Sequence, residues 1–359
     1  MSAIHQFVPS FTAHDAVSTH SRHVQRLIRS LGLASEIYVG TATGVRRGEV
    51  RSFRRYEHSP GDGPTWLFYQ LSTGSPMAEF VASRPEPKVV NYHNLTPPAF
   101  FDAWQPEVAA ELALGRRQLE ALAPATDLAI AVSAYNEREL VDAGFAATTV
   151  APVLVDLDEL DREVDSQALA RLQQAKAGGG SDWLFVGRVA PNKAQHDLVK
   201  ALAVYRRLYD PRARLHLVGG SSSAAYDTAL ASYVAALGLE GAADLTGPVT
   251  PGVLAAHYRA ADVFVCLSEH EGFCVPLLEA FHHRLPIVAY AAAAVPETMG
   301  RAGLLLSSKA PATVAAAVHR VTSDPALAAT LAAAGAARLG DFRLDRARAR
   351  FAEVVEGLR

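Results

Sequence analysis

The run DVFVCLSEHEGFCVPLLEAF carries two glutamates whose setting suits the binding of a polyol. A buried strand over Val263–Leu267 leads into Ser268-Glu269-His270-Glu271-Gly272, and a helix begins near Cys274 with Pro276 in its first turn. Glu271 lies in the loop and Glu279 lies eight positions on, inside the helix. An ionised carboxylate only accepts hydrogen bonds, and it can take two from vicinal hydroxyls such as those of a sugar or ribose ring. The unpaired amides at a helix start favour an anion, a diphosphate among them. One short segment could therefore hold both ends of a sugar nucleotide. Each glutamate also has a plainer reading: Glu271 as a favourable charge on the helix dipole, Glu279 as a solvated helix position.

A second stretch, WLFVGRVAPNKAQHDLVKAL, places two cations at a comparable point. A buried strand ends at Gly187, where a residue without Cβ permits a tight turn. Arg188 and Lys193 follow, just before a helix. Cations at a strand end beside a helix N-terminus make a phosphate site. By themselves the two residues read equally well as surface charges.

The elements around these residues alternate strand and helix, the pattern of an α/β fold with parallel sheets. In the first half, strands are expected at Ile4–Val8 (ended by Pro9-Ser10), Glu36–Val39, Thr65–Tyr69, Lys88–Tyr92 and Asp127–Val132. A helix is expected over Val17–Leu31, with Val17, Val24, Leu27, Ile28 and Leu31 on one face and Gly32 closing it. An acidic run, a short polar helix and Gly178-Gly179-Gly180-Ser181 then mark a boundary within 156–181. The second series has strands at Trp183–Val186, Arg214–Val218, Ala261–Leu267 and Pro286–Tyr290, and helices at Ala194–Tyr209, Ala224–Leu237 and Val275–His283. Two Rossmann-like, doubly wound domains follow, over 1–155 and 156–342. A terminal helix over 343–359, with Phe351, Val354, Val355 and Leu358 on one face, packs back on the first. Ligands of such sheets bind at the carboxyl ends of the strands, where both candidate segments lie.

Composition narrows the classes further. The 359 residues carry a net charge of −3, which argues against bulk nucleic-acid binding. Only Cys266 and Cys274 are cysteines, too few for a disulfide framework, so a reducing cytosol is expected. The N-terminal MSAIHQFVPS lacks the pattern of a signal peptide. Residues 16–56 run against the overall charge, with eight arginines (22, 26, 29, 46, 47, 51, 54 and 55) against Glu36 and Glu49. This basic stretch is a solvated face, a site for an anionic acceptor, or a peripheral contact with the inner face of a membrane.

The segments GRVAPNK, LVGG at 217–220, GPVTPGVLAAHYRAADVFVCLSEHEGFCVPLLEAF and AVPE at 294–297 together resemble glycosyltransferase family four, of GT-B architecture. The EX7E pattern from Glu271 to Glu279 is the most specific of them, and the first half (HQFVPSFTAHDAVSTH, EIYVG, LFYQLSTGSP, VVNYHNLTPPAFF) is similar to a bacterial subset of the family.

The resemblance implies two domains facing each other across a cleft, acceptor side first and nucleotide-sugar donor side second. It implies transfer of a hexosyl group from a UDP- or GDP-sugar to an acceptor hydroxyl, with retention, no cofactor and no metal. Arg188 and Lys193 match the pair that neutralises the donor diphosphate. Glu279 matches the residue that holds the ribose, and Glu271 the one that contacts the transferred sugar. Gly187, Gly272, Phe273, Cys274 and Val275 match loop positions that approach sugar and phosphate, and Val249 a backbone contact to the base. His93, with Asn94 beside it, falls where a histidine faces the donor sugar, either as general base or to orient the donor. Asp15, Ala16 and Ser18 fall in the acceptor-side loop.

The family pattern is departed from at three places: Cys274 and the pairs Asp15-Ala16 and Ala293-Ala294 replace usual glycines. The thiol at 274 bears on which sugar the pocket admits. Asp156-Leu157-Asp158 spells the DxD of metal-dependent transferases of another fold, but stands at the domain junction. The rival readings are a sugar-nucleotide 2-epimerase on the same scaffold and a non-catalytic sugar or nucleotide-binding module.

Overall fold

A computed structural model describes residues 2–13, 15–57, 63–161 and 163–358. The chain divides into two compact units: Met1–Asp102 with Pro106–Val155 and Phe342–Arg359, and Ala103–Gln105 with Asp156–Asp341.

The first unit is built on a wholly parallel seven-stranded sheet in the order β3-β2-β1-β4-β5-β6-β7. The strands are β1 (Ala3–Thr12), β2 (Ile37–Thr43), β3 (Arg51–Ser52), β4 (Thr65–Leu71), β5 (Lys88–Tyr92), β6 (Leu128–Ala131) and β7 (Thr148–Val150). Strand β1 outruns the expected stop at Pro9-Ser10. Pro9 is skipped in the register with β2, and pairing with β4 ends at Phe7, so its missing N–H breaks no rung. The helix Ala16–Ser30 buries Val24, Leu27 and Ile28 on the sheet, and Gly32 follows it with φ +78°. The terminal helix Leu344–Glu356 places Phe351, Val354 and Val355 in the same core, against Ile4, Val24 and Ile28.

The second unit carries a parallel six-stranded sheet in the order β10-β9-β8-β11-β12-β13. Its strands are β8 (Asp182–Val186), β9 (Arg214–Val218), β10 (Ala243–Gly247), β11 (Val263–Cys266), β12 (Ile287–Tyr290) and β13 (Leu304–Leu306). The order reverses between β8 and β11, and such a switch point opens a crevice at the strands' carboxyl ends. Gly219 holds that end tight. Its φ is +148°, and a Cβ there would lie 2.1 Å from the Gly187 carbonyl oxygen. Among the described residues no helix is long and apolar enough to cross a membrane.

At the opposite end of this sheet Asp182 is almost fully buried. Arg214 grips both its oxygens, at 2.7 and 2.9 Å, and His216 Nε2 lies 3.1 Å away. Burial alone would raise its pKa, but the hydrogen bonds from His216 and Arg214 outweigh that and hold it at about 2. A depressed carboxylate contributes stability above its unfolded pKa and loses it as pH falls. The pair should therefore stabilise the fold by about 2–3 kcal/mol at neutral pH, fading between about pH 4 and 2. Asp182→Asn should lower the thermal midpoint at pH 7 and much less at pH 3; calorimetry at the two pH values checks this.

Candidate active site

Two loops meet at the switch point. The first follows β8, running from Gly187 through Arg188 to Lys193. The second follows β11, from Leu267 to Phe273. One backbone bond and one side-chain bond stitch them together: Glu269 N–H donates to the Asn192 carbonyl at 2.8 Å, and Asn192 Nδ2 donates to the His270 carbonyl at 3.3 Å. Across this seam Lys193 Nζ lies 2.6 Å from Glu271 Oε1. Both side chains are mostly buried, and Glu271 is 9% exposed as a residue. Burial alone would depress the lysine pKa. The Glu271 carboxylate beside it overcomes that and raises the value, so the ammonium is charged at any working pH.

Arg188 is exposed, and its guanidinium has no hydrogen-bond or ion-pair partner among the described residues. Its backbone is fixed instead: the Arg188 carbonyl accepts from Gln195 Nε2 at 2.9 Å, and Gln195 is fully buried. A free cation on an anchored backbone, beside a paired lysine, is set to receive an anion without moving the loop.

The helix Val275–His282 starts after Cys274, whose φ is +69°. A left-handed conformation is unusual for a residue with Cβ and explains why glycine is the common choice there. The preceding loop is locked by Thr298 Oγ1, which donates to the Phe273 carbonyl at 2.5 Å, and by Ala294 N–H, which donates to the Glu271 carbonyl at 3.2 Å. Gly272 and Val275 are half-buried, while Phe273 and Cys274 are buried. One turn into the helix, Glu279 Oε2 accepts from Tyr258 Oη at 2.6 Å. Burial raises the Glu279 pKa, and the tyrosine bond opposes that only in part. Tyr258 is itself stacked on His283, with ring centroids 5.0 Å apart. Val249 follows β10, at the carboxyl end of the strand next to β9.

The structure thus brings Gly187, Arg188, Lys193, Glu271, Gly272, Phe273, Cys274, Val275 and Glu279 to one end of one sheet. Val249 stands at the same end, two strands from β8. The remaining expected residues belong to the first unit and form a separate group.

In that unit His93 follows β5, and its N–H donates to the Leu71 carbonyl at 2.9 Å. Its ring closes a buried chain of amides. The Ser21 carbonyl can only accept, so Gln6 Nε2 donates to it at 3.0 Å. Gln70 Nε2 then donates to Gln6 Oε1 at 2.8 Å, which turns Gln70 Oε1 toward His93 Nε2 at 2.6 Å. The neutral ring therefore carries its proton on Nε2 and keeps Nδ1 as an acceptor. Burial pushes the His93 pKa down to about 4, with Asp15 pulling the other way. A group that weakly basic suits orienting a hydroxyl better than taking a proton at neutral pH.

Asp15 caps the helix that starts at Ala16. Its oxygens accept from Ser18 N–H at 2.8 Å and from the hydroxyls of Thr12 and Ser18. Ser18 Oγ also accepts from Thr12 N–H at 2.9 Å. Both side chains are spent on the loop's own geometry, while Ala16 is exposed and Asn94 takes φ +86°. Asp156 and Asp158 lie at a short 3₁₀ turn opening the second unit.

Several residues at these sites carried no signal of their own in the sequence. Tyr258 sits in the helix before β11, so its bearing on Glu279 depends on packing. Gln70 and Gln6 are glutamines inside buried strands, an unusual placement that could have marked them. Lys309 holds Asp197 and Glu269 at 2.6 Å each, close behind the Glu271 loop, and arrives from after β13.

Residues 180–324 match the family described as Glycosyl transferases group 1. The chain is 33% identical over 255 residues to the D-inositol 3-phosphate glycosyltransferase of Kineococcus radiotolerans, covering 66% of this chain and 58% of the relative. It spans a little over half the length of the first curated relatives it matches. Sucrose-phosphate synthase from Thermosynechococcus elongatus has the same fold, with a TM-score of 0.77 at 19% identity over 99% of each chain. The UDP-glucose complex of Anabaena HepE gives 0.74 at 18% identity, over 99% of this chain and 100% of that one. The second half of the chain, over 180–324, matches the group 1 glycosyltransferases, and the fold of the whole is that of the GT-B glycosyltransferases.

Proposed function

We propose that the chain transfers a hexosyl group from a nucleotide-diphosphate sugar to an acceptor hydroxyl. The observation that carries this reading is the Lys193–Glu271 pair at the switch point of one parallel sheet, with Arg188 on the lysine's loop and Glu279 in the helix that follows the glutamate's. Breaking the anomeric bond leaves charge on the departing diphosphate. Lys193, Arg188 and the amides at the start of the helix Val275–His282 are donors already in place for that charge. Two protein cations do the work a metal would otherwise do, so no ion is needed as a cofactor. Glu279, oriented by Tyr258, holds the ribose; Glu271 takes hydroxyls of the transferred sugar; Val249 contacts the base. Retention and the use of the donor phosphate as base fit the weak basicity of the buried His93. A protein of the same fold, HepE, was solved with UDP-glucose, a donor of the proposed class.

The acceptor is proposed to be anionic. Arg22 donates to the Thr12 and Ala13 carbonyls and pairs with Glu49 at 2.6 Å, tying the loop 44–50 to the loop before Asp15. Arg46 and Arg47 stand exposed on that tied loop, while Arg29 and Arg51 flank Glu36 at 3.6 Å. The inositol phosphate in the name of the bacterial relative has the matching charge.

The test is donor-dependent transfer, with thermal shifts choosing among UDP-, GDP- and ADP-sugars. EDTA should leave the rate unchanged. The double variant Arg46→Ala, Arg47→Ala should raise KM for a phosphorylated acceptor about 10-fold or more at low salt, with KM for the donor unmoved. Equal loss on neutral acceptors would refute the anionic assignment. Loss of binding to phosphatidylserine vesicles, with kinetics unchanged, would give the arginines to a membrane surface instead.

A further inference from the structure

Both cysteines of the chain meet beneath the loop that carries Glu271. Cys266 closes β11 and Cys274 precedes the helix, and their sulfurs lie 4.0 Å apart. A carboxylate oxygen of Glu271 completes a set of three donor atoms, all within 4.8 Å of one another. The three residues are 1%, 6% and 9% exposed. Two sulfurs bound to one tetrahedral zinc, at about 2.3 Å each, stand about 3.8 Å apart. The observed separation already matches that edge.

The geometry points to a site for one thiophilic divalent cation, zinc as the type case, held by Cys266, Cys274 and Glu271, whose occupancy excludes the nucleotide sugar. Soft sulfur with one carboxylate selects zinc over magnesium or calcium, which take oxygen ligands. Charge does not oppose it. The resting cluster holds the Lys193 ammonium, the Glu271 carboxylate and two neutral thiols. Binding Zn²⁺ forms two Zn–S bonds and one Zn–O bond, and two thiol protons leave for the buffer, so the cluster's net charge is unchanged. Nothing is oxidised or reduced, and a water fills the fourth position. The ion takes Glu271 from Lys193, and with it the carboxylate assigned to the transferred sugar. It therefore acts as an inhibitor and not as a cofactor. This exclusion rests on the donor reading above; the metal site itself does not.

The experiment titrates zinc chloride into the reduced full-length chain by calorimetry, in two buffers of different ionisation heat, for the wild type, Cys266→Ala and Glu271→Gln. Cys266 is not part of the donor machinery, so Cys266→Ala should keep the transferase rate measured without zinc. The expected result is about one zinc per chain with about two protons released, an affinity lower by about 100-fold or more in Cys266→Ala, and weakened binding when UDP-glucose (or whichever nucleotide sugar the wild type turns over) is present. Inhibition by zinc should vanish in Cys266→Ala. Equal zinc affinity in wild type and Cys266→Ala would overturn the site, because the ion would then be held elsewhere. Zinc bound through Cys266 but indifferent to the nucleotide sugar would overturn the exclusion. Failure of the donor reading shows separately, as absence of turnover with every donor in zinc-free wild type and Cys266→Ala alike.

Discussion

Lys193→Ala should lower kcat on the order of 10²–10³-fold, with a smaller change in KM for the donor. The lysine is held in place before substrate arrives, 2.6 Å from Glu271, and its charge is secured by the carboxylate. A preorganised cation gains most when the departing diphosphate carries its full charge, so its loss appears in turnover. The variant also leaves Glu271 buried without its cation, which costs stability. Lys193→Ala combined with Glu271→Gln separates the two effects. If the double variant regains stability but turns over more slowly than Glu271→Gln alone, the lysine acts on the reaction; if those two turn over alike, it serves only the fold. Steady-state kinetics and thermal midpoints on the three variants decide this.

Glu279→Ala should weaken nucleotide binding about 10–100-fold, the worth of one or two hydrogen bonds to a charged acceptor, while kcat at saturating donor falls less. Tyr258→Phe should cost less than Glu279→Ala, since the tyrosine only orients the carboxylate. A pH dependence accompanies it. Burial raises the Glu279 pKa in the free chain, and only the ionised form accepts from two ribose hydroxyls. Nucleotide affinity should therefore fall as pH drops toward that raised value in the wild type and stay flat in Glu279→Ala. Calorimetric titration of the nucleotide diphosphate across the acid range measures both; a slope shared by the two proteins would remove Glu279 from the ribose.

The two predictions differ in how much of their basis the sequence carried. Glu271 and Glu279 are fixed by a local pattern, a strand, a loop and a helix in which neighbours in sequence are neighbours in space. The central strands were equally legible. Lys88–Tyr92 and Arg214–Val218 have the bounds expected of them, because both are flanked on either side and buried through most of their length, the second at Leu215, Leu217 and Val218. The strands that escaped, Arg51–Ser52, Thr148–Val150, Ala243–Gly247 and Leu304–Leu306, are the four edge strands of the two sheets. An edge strand pairs on one side only and is short and partly exposed, so no apolar run announces it. Its pairing is decided by the strand beside it.

The same division runs through the site. Sequence by itself determined the residue types at the switch point, the parallel α/β layering that puts them after strands, and the departure from glycine at Cys274. Tertiary structure alone decided that Lys193 reaches Glu271 and that Tyr258 reaches Glu279. It also decided that the buried glutamines set the tautomer of His93, and that Cys266 and Cys274 come within 4.0 Å beside a carboxylate. Those contacts join residues on different elements, and the distance between elements is set by how the sheets order their strands and pack their helices. Sequence spacing carries periodicity within an element; it holds no measure of the gap from one element to the next.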